Sequence, residues 1–296
     1  MANPSARDAG HSGASASGPR SAPGLTPARV ESFRALVWAH WRDHGRHDLP
    51  WRLTDDPYAV LVSEVMLQQT QVPRVLPKYV EWMAEFPTVD ALAAAPLEAV
   101  LRAWQGLGYN RRAVALKRAA QIVSEEYGGV MPGDAQELER LPGVGPATAA
   151  GVVAFAYGAP AAYLETNVRA VYIHEFFGDA DKVPDRDILP LLDATLDEQD
   201  PRQWFYALLD YGWWLKKTRP NPTRRSAHYT RQGAFEGSRR QKRSRMLRSV
   251  MQQPGADAAD LGRDHGLPPG EAVALLEELA SEGFLVARDD GWYVAE

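Results

Sequence analysis

Two acids interrupt apolar stretches of this chain. Glu165 breaks PAAYLETNVRAVYIHEFF, residues 160–177, between an apolar approach and a helical pattern. Glu64 breaks AVLVSEVML, and Gln68, four residues on, shares its helix face. Taken alone, Glu64 reads as a solvated helix acid. Glu165 reads as a helix-start acid favoured by the positive end of the helix behind it. Taken as a pair, two carboxylates in different environments can divide the work of one reaction. A buried, protonated one can donate a proton, and an ionised one can oppose a developing positive charge.

A second signal is LERLPGVGPATAAGVVAFAYG, residues 138–158. One helix ends at Leu141, Pro142-Gly143-Val144-Gly145 turn tightly, and another helix starts near Pro146. Two glycines permit a sharp turn and close approach of a ligand to the backbone. Turn amides and a helix N-terminus then point at one place, an anion site suited to a phosphate and blind to sequence. The plainer alternative is an αα-hairpin whose glycines serve packing.

The elements that must hold these groups are helical. With 45% apolar residues over 296, the chain can bury a sizeable core in more than one domain. Helical patterns run over 27–44, 57–69, 73–85, 88–103, 110–127, 134–141, 146–157, 167–177, 186–197 and 201–215, separated by short Pro/Gly turns. From about 244 three helices are followed by GFLVARDDGWYVAE, which reads as a β-hairpin, so the end looks winged-helical. Its helix PPGEAVALLEELASEG is acidic on the polar face, which suits packing on the body or a partner better than reading DNA. The expected division is a disordered Ser/Ala/Gly/Pro-rich tail over 1–26, a helical body over 27–220, a basic linker over 221–243 and the module over 244–296.

Composition narrows the chemistry. There is no cysteine, which excludes disulfides, thiolate nucleophiles and cysteine-ligated zinc or iron–sulfur clusters. No apolar run approaches the roughly 18 residues of a membrane span, and a cytoplasmic, nucleoid-associated location is expected. The net charge is −5, yet twelve Lys/Arg face one acid, Glu236, between Lys216 and Arg248. That stretch carries +11 and the remainder −16, an asymmetry that suggests an anionic partner or else a solvated basic linker.

The hairpin resembles that of the helix-hairpin-helix base-excision DNA glycosylase superfamily. LPWR (49–52), DPY (56–58), SEVMLQQTQV (63–72), FPTVDALAAAPLEAVLRAWQGLGYNRRA (86–113) and LPGVG (141–145) resemble its MutY-like adenine glycosylases. The likeness covers roughly 27–220. It implies an all-α fold of two helical subdomains with double-stranded DNA and a flipped base at the cleft between them. It makes Glu64 the acid that protonates adenine, and Glu165 with Asn167 the pair facing the sugar. Tyr157 would lie near that pair, and Arg52 near the flipped base. Gln69 and Tyr109 would wedge into the stack, with Tyr109 as a core aromatic the rival reading. Gln68, Gly143, Val144, Gly145, Ala147 and Thr148 would line the DNA, and Lys216, Lys217, Arg224 and Arg225 would meet phosphates. The hairpin 141–146 leaves room for a monovalent cation; no other cofactor is implied, and a monomer is expected.

Four departures from the family pattern stand out. Glu165 occupies the place of an aspartate and is one methylene longer, which could move the carboxylate by about 1 Å. Ala147 stands where lyase members carry a Schiff-base lysine, so strand cleavage is not expected. Phe205-Tyr206 replace an amide or carboxylate pair whose second member contacts adenine, which opens the alternative of another damaged or mispaired base, or of a non-catalytic lesion binder. KKTRPNPTRRSAHYTRQ takes the place of four cluster cysteines, as in the clusterless branch.

Overall fold

The computed structural model describes residues 25–231 and 233–296, so the tail expected over 1–26 lies almost wholly outside the described residues. The body runs through α1 (Pro27–His44), α2 (Pro57–Leu67), α3 (Val72–Glu85), α4 (Val89–Ala94), α5 (Leu97–Ala103), α6 (Arg111–Glu126), α7 (Ala135–Glu139), α8 (Pro146–Ala156), α9 (Thr166–Phe176), α10 (Asp185–Thr195) and α11 (Pro201–Thr218). The stretch 88–103, read as one helix, is two. Ala95 is extended (φ −65°, ψ 141°) because Pro96 follows it, and the helical region is crowded for a residue before proline.

Two helical subdomains result. α1 packs on α10 and α11, and α9 packs on both of these, so the two ends of the body form one layer. The segment α2–α6 forms the other, and α7 packs on α8. α8 touches α2 on one side and α11 on the other, which sets it at the seam. α2 is apolar nearly all round and buries Tyr58, Val60, Leu61, Val62, Val65 and Met66, as a helix enclosed on most sides must. Trp82, Trp104 and Trp204 are fully buried and anchor the two layers. Each large apolar side chain taken from water contributes roughly 1.5–3 kcal/mol.

The segment 221–243 departs from a free linker. Residues 222–225 form a 3-10 turn capped by Asn221, with Pro222 and Thr223 buried. The Val183 N–H donates to the Arg225 carbonyl at 2.8 Å and the Ala227 N–H to the Val183 carbonyl at 2.9 Å, which docks this turn on the body. The next helix, α12 (Arg239–Gln252), starts at Arg239 rather than 244, because Ser238 caps it by accepting from the Gln241 N–H. α13 (Ala258–Asp264), α14 (Pro269–Ser281) and the antiparallel hairpin β1 (Leu285–Arg288) and β2 (Gly291–Val294) complete the module.

The acidic face of α14 meets the basic face of α12. Lys242 pairs with Glu271 at 2.6 Å, and Arg243 with Glu278 at 2.9 Å and Glu282 at 2.6 Å. Glu282 also accepts from Arg111 of α6 at 2.7 Å, which ties module to body. Solvent-facing pairs of this kind contribute about 0–1 kcal/mol each. The buried seam of Met246, Leu247, Val250, Leu275, Leu276 and Leu279 therefore does most to hold the module together.

Candidate active site

Glu64 sits midway along α2 and faces α8. A Cβ at Gly151 would lie 2.6 Å from Glu64 Oε2 and 2.9 Å from the Tyr163 ring, so glycine leaves the space that the carboxyl fills. The Tyr163 hydroxyl donates to Glu64 Oε2 at 3.1 Å. Its ring is set edge-on against Phe155 and Phe205, at centroid distances of 5.0 and 5.4 Å. Burial pushes the Glu64 carboxyl up to about 8, helped by the charge of Glu165 and opposed by the Tyr163 hydroxyl and Arg52. Glu64 is thus largely protonated at neutral pH, as a proton donor must be.

Glu165 stands at the start of α9, where the helix-start reading of its local sequence puts it. Its Oε1 accepts from the N–H of Asn167 and, at 3.1 Å, from that of Val168, so it caps its own helix. Aspartates cap α2 and α7 in the same way, so the extra methylene is accommodated without loss of the cap. Burial pushes its pKa above the usual carboxylate range, while the two amides, Lys216 and Arg169 pull it back. The helix N-terminus adds partial positive charge in the same direction. Lys216 donates to Asn167 Oδ1 at 3.0 Å. It reaches there because α11 crosses the first turn of α9 at Gly212, where any Cβ would overlap the Asn167 carbonyl. Lys216 was expected among the phosphate contacts; the fold turns it inward instead.

Three residues assigned to the site lie beside it in other roles. Arg52 is buried and forks onto Asp210, with Nη1–Oδ2 at 2.8 Å and Nη2–Oδ1 at 2.9 Å, and Arg46 joins the same carboxylate. Removing one partner of such a buried pair costs about 3–5 kcal/mol. Tyr206 is buried too, stacked on Phe155 at 4.4 Å with the Arg52 guanidinium over its ring at 4.5 Å, and its hydroxyl reaches the Trp51 carbonyl. It joins the packing under the site rather than lining a base pocket. Tyr157 donates to the Met131 carbonyl at 2.7 Å, and the tyrosine on the carboxyl is Tyr163.

The hairpin behaves as a turn held from within. Gly143 has φ +79° and packs on Ala115, while the Val144 side chain is buried and its N–H donates to the Leu141 carbonyl at 3.1 Å. Val144 therefore anchors the turn. Gly143 and Gly145 are exposed, and the first-turn amides of α8 lack intrahelical acceptors, as at any helix start. Thr148 is buried and accepts from Gln68 Nε2 at 3.1 Å, a bridge from α2 to α8 rather than two DNA contacts. Lys217 and Arg224 are exposed, whereas Arg225 reaches the Ile173 carbonyl near the end of α9.

Gln69 and Tyr109, expected as wedges, share an unusual backbone: φ is +58° and +50°. Non-glycine residues there cost of order 1–3 kcal/mol and persist where neighbours enforce them. Arg112 is the neighbour. Its Nη1 donates to the carbonyls of Val65, Met66 and Gln68, and its Nη2 to Thr70 Oγ1 and the Gly108 carbonyl. One guanidinium thus fastens the end of α2 to the loop before α6. Tyr109 is exposed, and its hydroxyl accepts from Arg240 of α12 at 2.6 Å. Among the described residues no group of three or more His, Asp or Glu could hold a metal ion.

Residues 62–193 match the HhH-GPD superfamily of base excision DNA repair proteins. The chain is 43% identical over 170 residues to an adenine DNA glycosylase of Mycolicibacterium smegmatis, covering 57% of this chain and 58% of that one. It is 38% identical over 191 residues to one from Mycobacterium tuberculosis (63% and 62%) and 44% over 153 residues to one from Homo sapiens (49% and 28%). It spans less than two thirds of each. Among solved structures, a thermostable thymine-DNA glycosylase aligns with a TM-score of 0.56 at 25% identity, over 62% of this chain and 86% of that one. A non-covalent endonuclease III–DNA complex aligns at 0.51 and 22% identity, over 66% and 87%, which supports the fold alone.

Proposed function

We infer that the chain, whose residues 62–193 match the HhH-GPD superfamily of base excision DNA repair proteins, is an adenine DNA glycosylase that hydrolyses the N-glycosidic bond of mispaired adenine. The observation that carries this reading is the pair of carboxyls, Glu64 raised to about 8 beside Tyr163 and Glu165 on two helix amides. The relatives supply the base. Glu64 gives its proton to a ring nitrogen of the flipped adenine. The C1′–N9 bond breaks, and its electron pair leaves with the base. Glu165, ionised, opposes the positive charge that develops on the sugar. Water adds at C1′ and its proton restores Glu64, so adenine and an abasic site are the products.

Ala147 supplies no amine at the hairpin, and the reaction stops at the abasic site. Binding to duplex DNA uses the exposed hairpin backbone and cations such as Lys217 and Arg224, so it weakens with salt. A second reading, release of another base, is motivated by the likeness to a thymine-DNA glycosylase. One assay separates these. Duplexes carrying A:8-oxoguanine, A:G, T:G, U:G or an alkylated purine are incubated with the protein and scored for free base and, without alkali, for nicks. Release from the adenine duplexes with no nick is expected. Release confined to T:G or U:G would replace the adenine assignment, and nicks without alkali would overturn the monofunctional one.

A further inference from the structure

The side chain of Asn167, two residues from the candidate carboxylate Glu165, accepts from a lysine in the segment where the family pattern has cysteines. We propose that Lys216 is a positioning residue that keeps Glu165 ionised and Asn167 oriented, so that the anion opposing the sugar cation depends on α11. This rests on the glycosidic role of Glu165 inferred above.

The geometry carries the proposal. Lys216 follows Gly212 by one helical turn on the same face of α11, and Gly212 brings that face against the Asn167 backbone. The ammonium then donates to Asn167 Oδ1 at 3.0 Å. Asn167 in turn gives its backbone N–H to Glu165 Oε1. One residue thus joins the cation to the carboxylate.

Two cations, Lys216 and Arg169, favour the Glu165 anion, and Lys216 is the one tied to Asn167. On α9 itself, Arg169 is turned away into Asp185, with Nε–Oδ1 and Nη2–Oδ2 both at 2.7 Å, and His228 lies 3.9 Å from the same Asp185. From α2 comes Glu64, whose ionisation would oppose that of Glu165, and from the approach to α9 comes Tyr163, a neutral donor occupied by Glu64. Lys217 is exposed and acts on Lys216 by repulsion. A half-buried carboxylate in these surroundings tends to take up a proton unless a cation stays close. Lys216 is itself half-buried, and burial lowers its pKa while Glu165 partly opposes that, as each charge favours the other.

The test compares the full-length protein with Lys216→Met, Lys216→Gln and Lys216→Arg. Lys216→Gln retains a donor for Asn167 and loses the charge, which separates a tether from a charge partner. The titration midpoint of the Glu165 carboxyl is read by carbon-13 NMR, assigned through its loss in Glu165→Gln. We expect Met and Gln to raise that midpoint by about one to three units and Arg to return it near the parent. Single-turnover base release should lose kcat about tenfold or more in Met and Gln near neutral pH, with its low-pH limb moved upward and KM little changed. An unchanged midpoint in both neutral variants would overturn the proposal, as would borohydride trapping of abasic DNA on Lys216, which would make it a nucleophile. If no duplex releases a base, the function falls, and the carboxyl midpoint still decides the role of Lys216.

Discussion

The wall built by α2 and the wall built by α9 and α11 hold one carboxyl each, both pushed up by burial, and differ in what they set against that push. On the α2 side Glu64 is set in an apolar helix with one neutral donor, Tyr163, and space cleared by Gly151. On the other side Glu165 meets two helix amides and has Lys216 one residue away through Asn167. Both are glutamates, so their difference comes from surroundings alone. One residue type thus meets a neutral hydroxyl on one wall and helix amides with nearby cations on the other, according to where the helix ends fall.

The largest effects should come from removing the two groups. Glu64→Gln is expected to lower single-turnover base release by about 10²–10⁴-fold while duplex binding persists. Glu165→Gln should lower it by about 10²–10³-fold, since an amide carries no charge against the sugar. Equal rates in either variant and the parent would break the assignment of the pair.

Titration sharpens the contrast. Because Glu64 must be protonated, base release should fall as pH rises through about 8. Stability follows the same group. A carboxyl raised from 4.5 to about 8 contributes fully below its ordinary value and loses that contribution as pH climbs through about 8. Melting curves should therefore show Glu64→Gln gaining on the parent between pH 5 and 9. A constant gap would mean that Glu64 titrates normally.

The smallest change is Tyr163→Phe. It keeps the ring against Phe155 and Phe205 and removes the hydroxyl that favours the ionised Glu64. The high-pH limb of base release should move upward by less than about one unit, with little loss of rate below it. A downward move would mean the hydroxyl supports the protonated acid instead.

Much of this site could be read from the chain, and the remainder fails for identifiable reasons. Helical periodicity placed α2, α8 and α9 within a residue or two, and the motif around Glu64 pointed at the acid. Pro96 was a visible break inside 88–103, yet the apolar spacing continued across it. The partners of Arg52 and Lys216 were not legible, because Asp210 lies 158 residues beyond Arg52 and Asn167 lies 49 before Lys216. Pairings over such distances depend on how α11 crosses α9, which no local pattern encodes. Gly212 was the one trace: a glycine inside the helix LLDYGWWLKK, where alanine would be favoured by about 1 kcal/mol, signals close contact. Tyr163 carries no local mark of its role, because it belongs to the apolar approach to α9 and its hydroxyl meets a carboxyl 99 residues away.

Arg112 has a consequence for how the molecule opens. Its guanidinium gathers carbonyls from the last turn of α2 and from the loop before α6, so neither strand of chain can lift without stripping donors from the other. Hydrogen exchange should register Gln69 and Tyr109 as members of a single opening unit with a shared protection factor, although forty residues of sequence separate them.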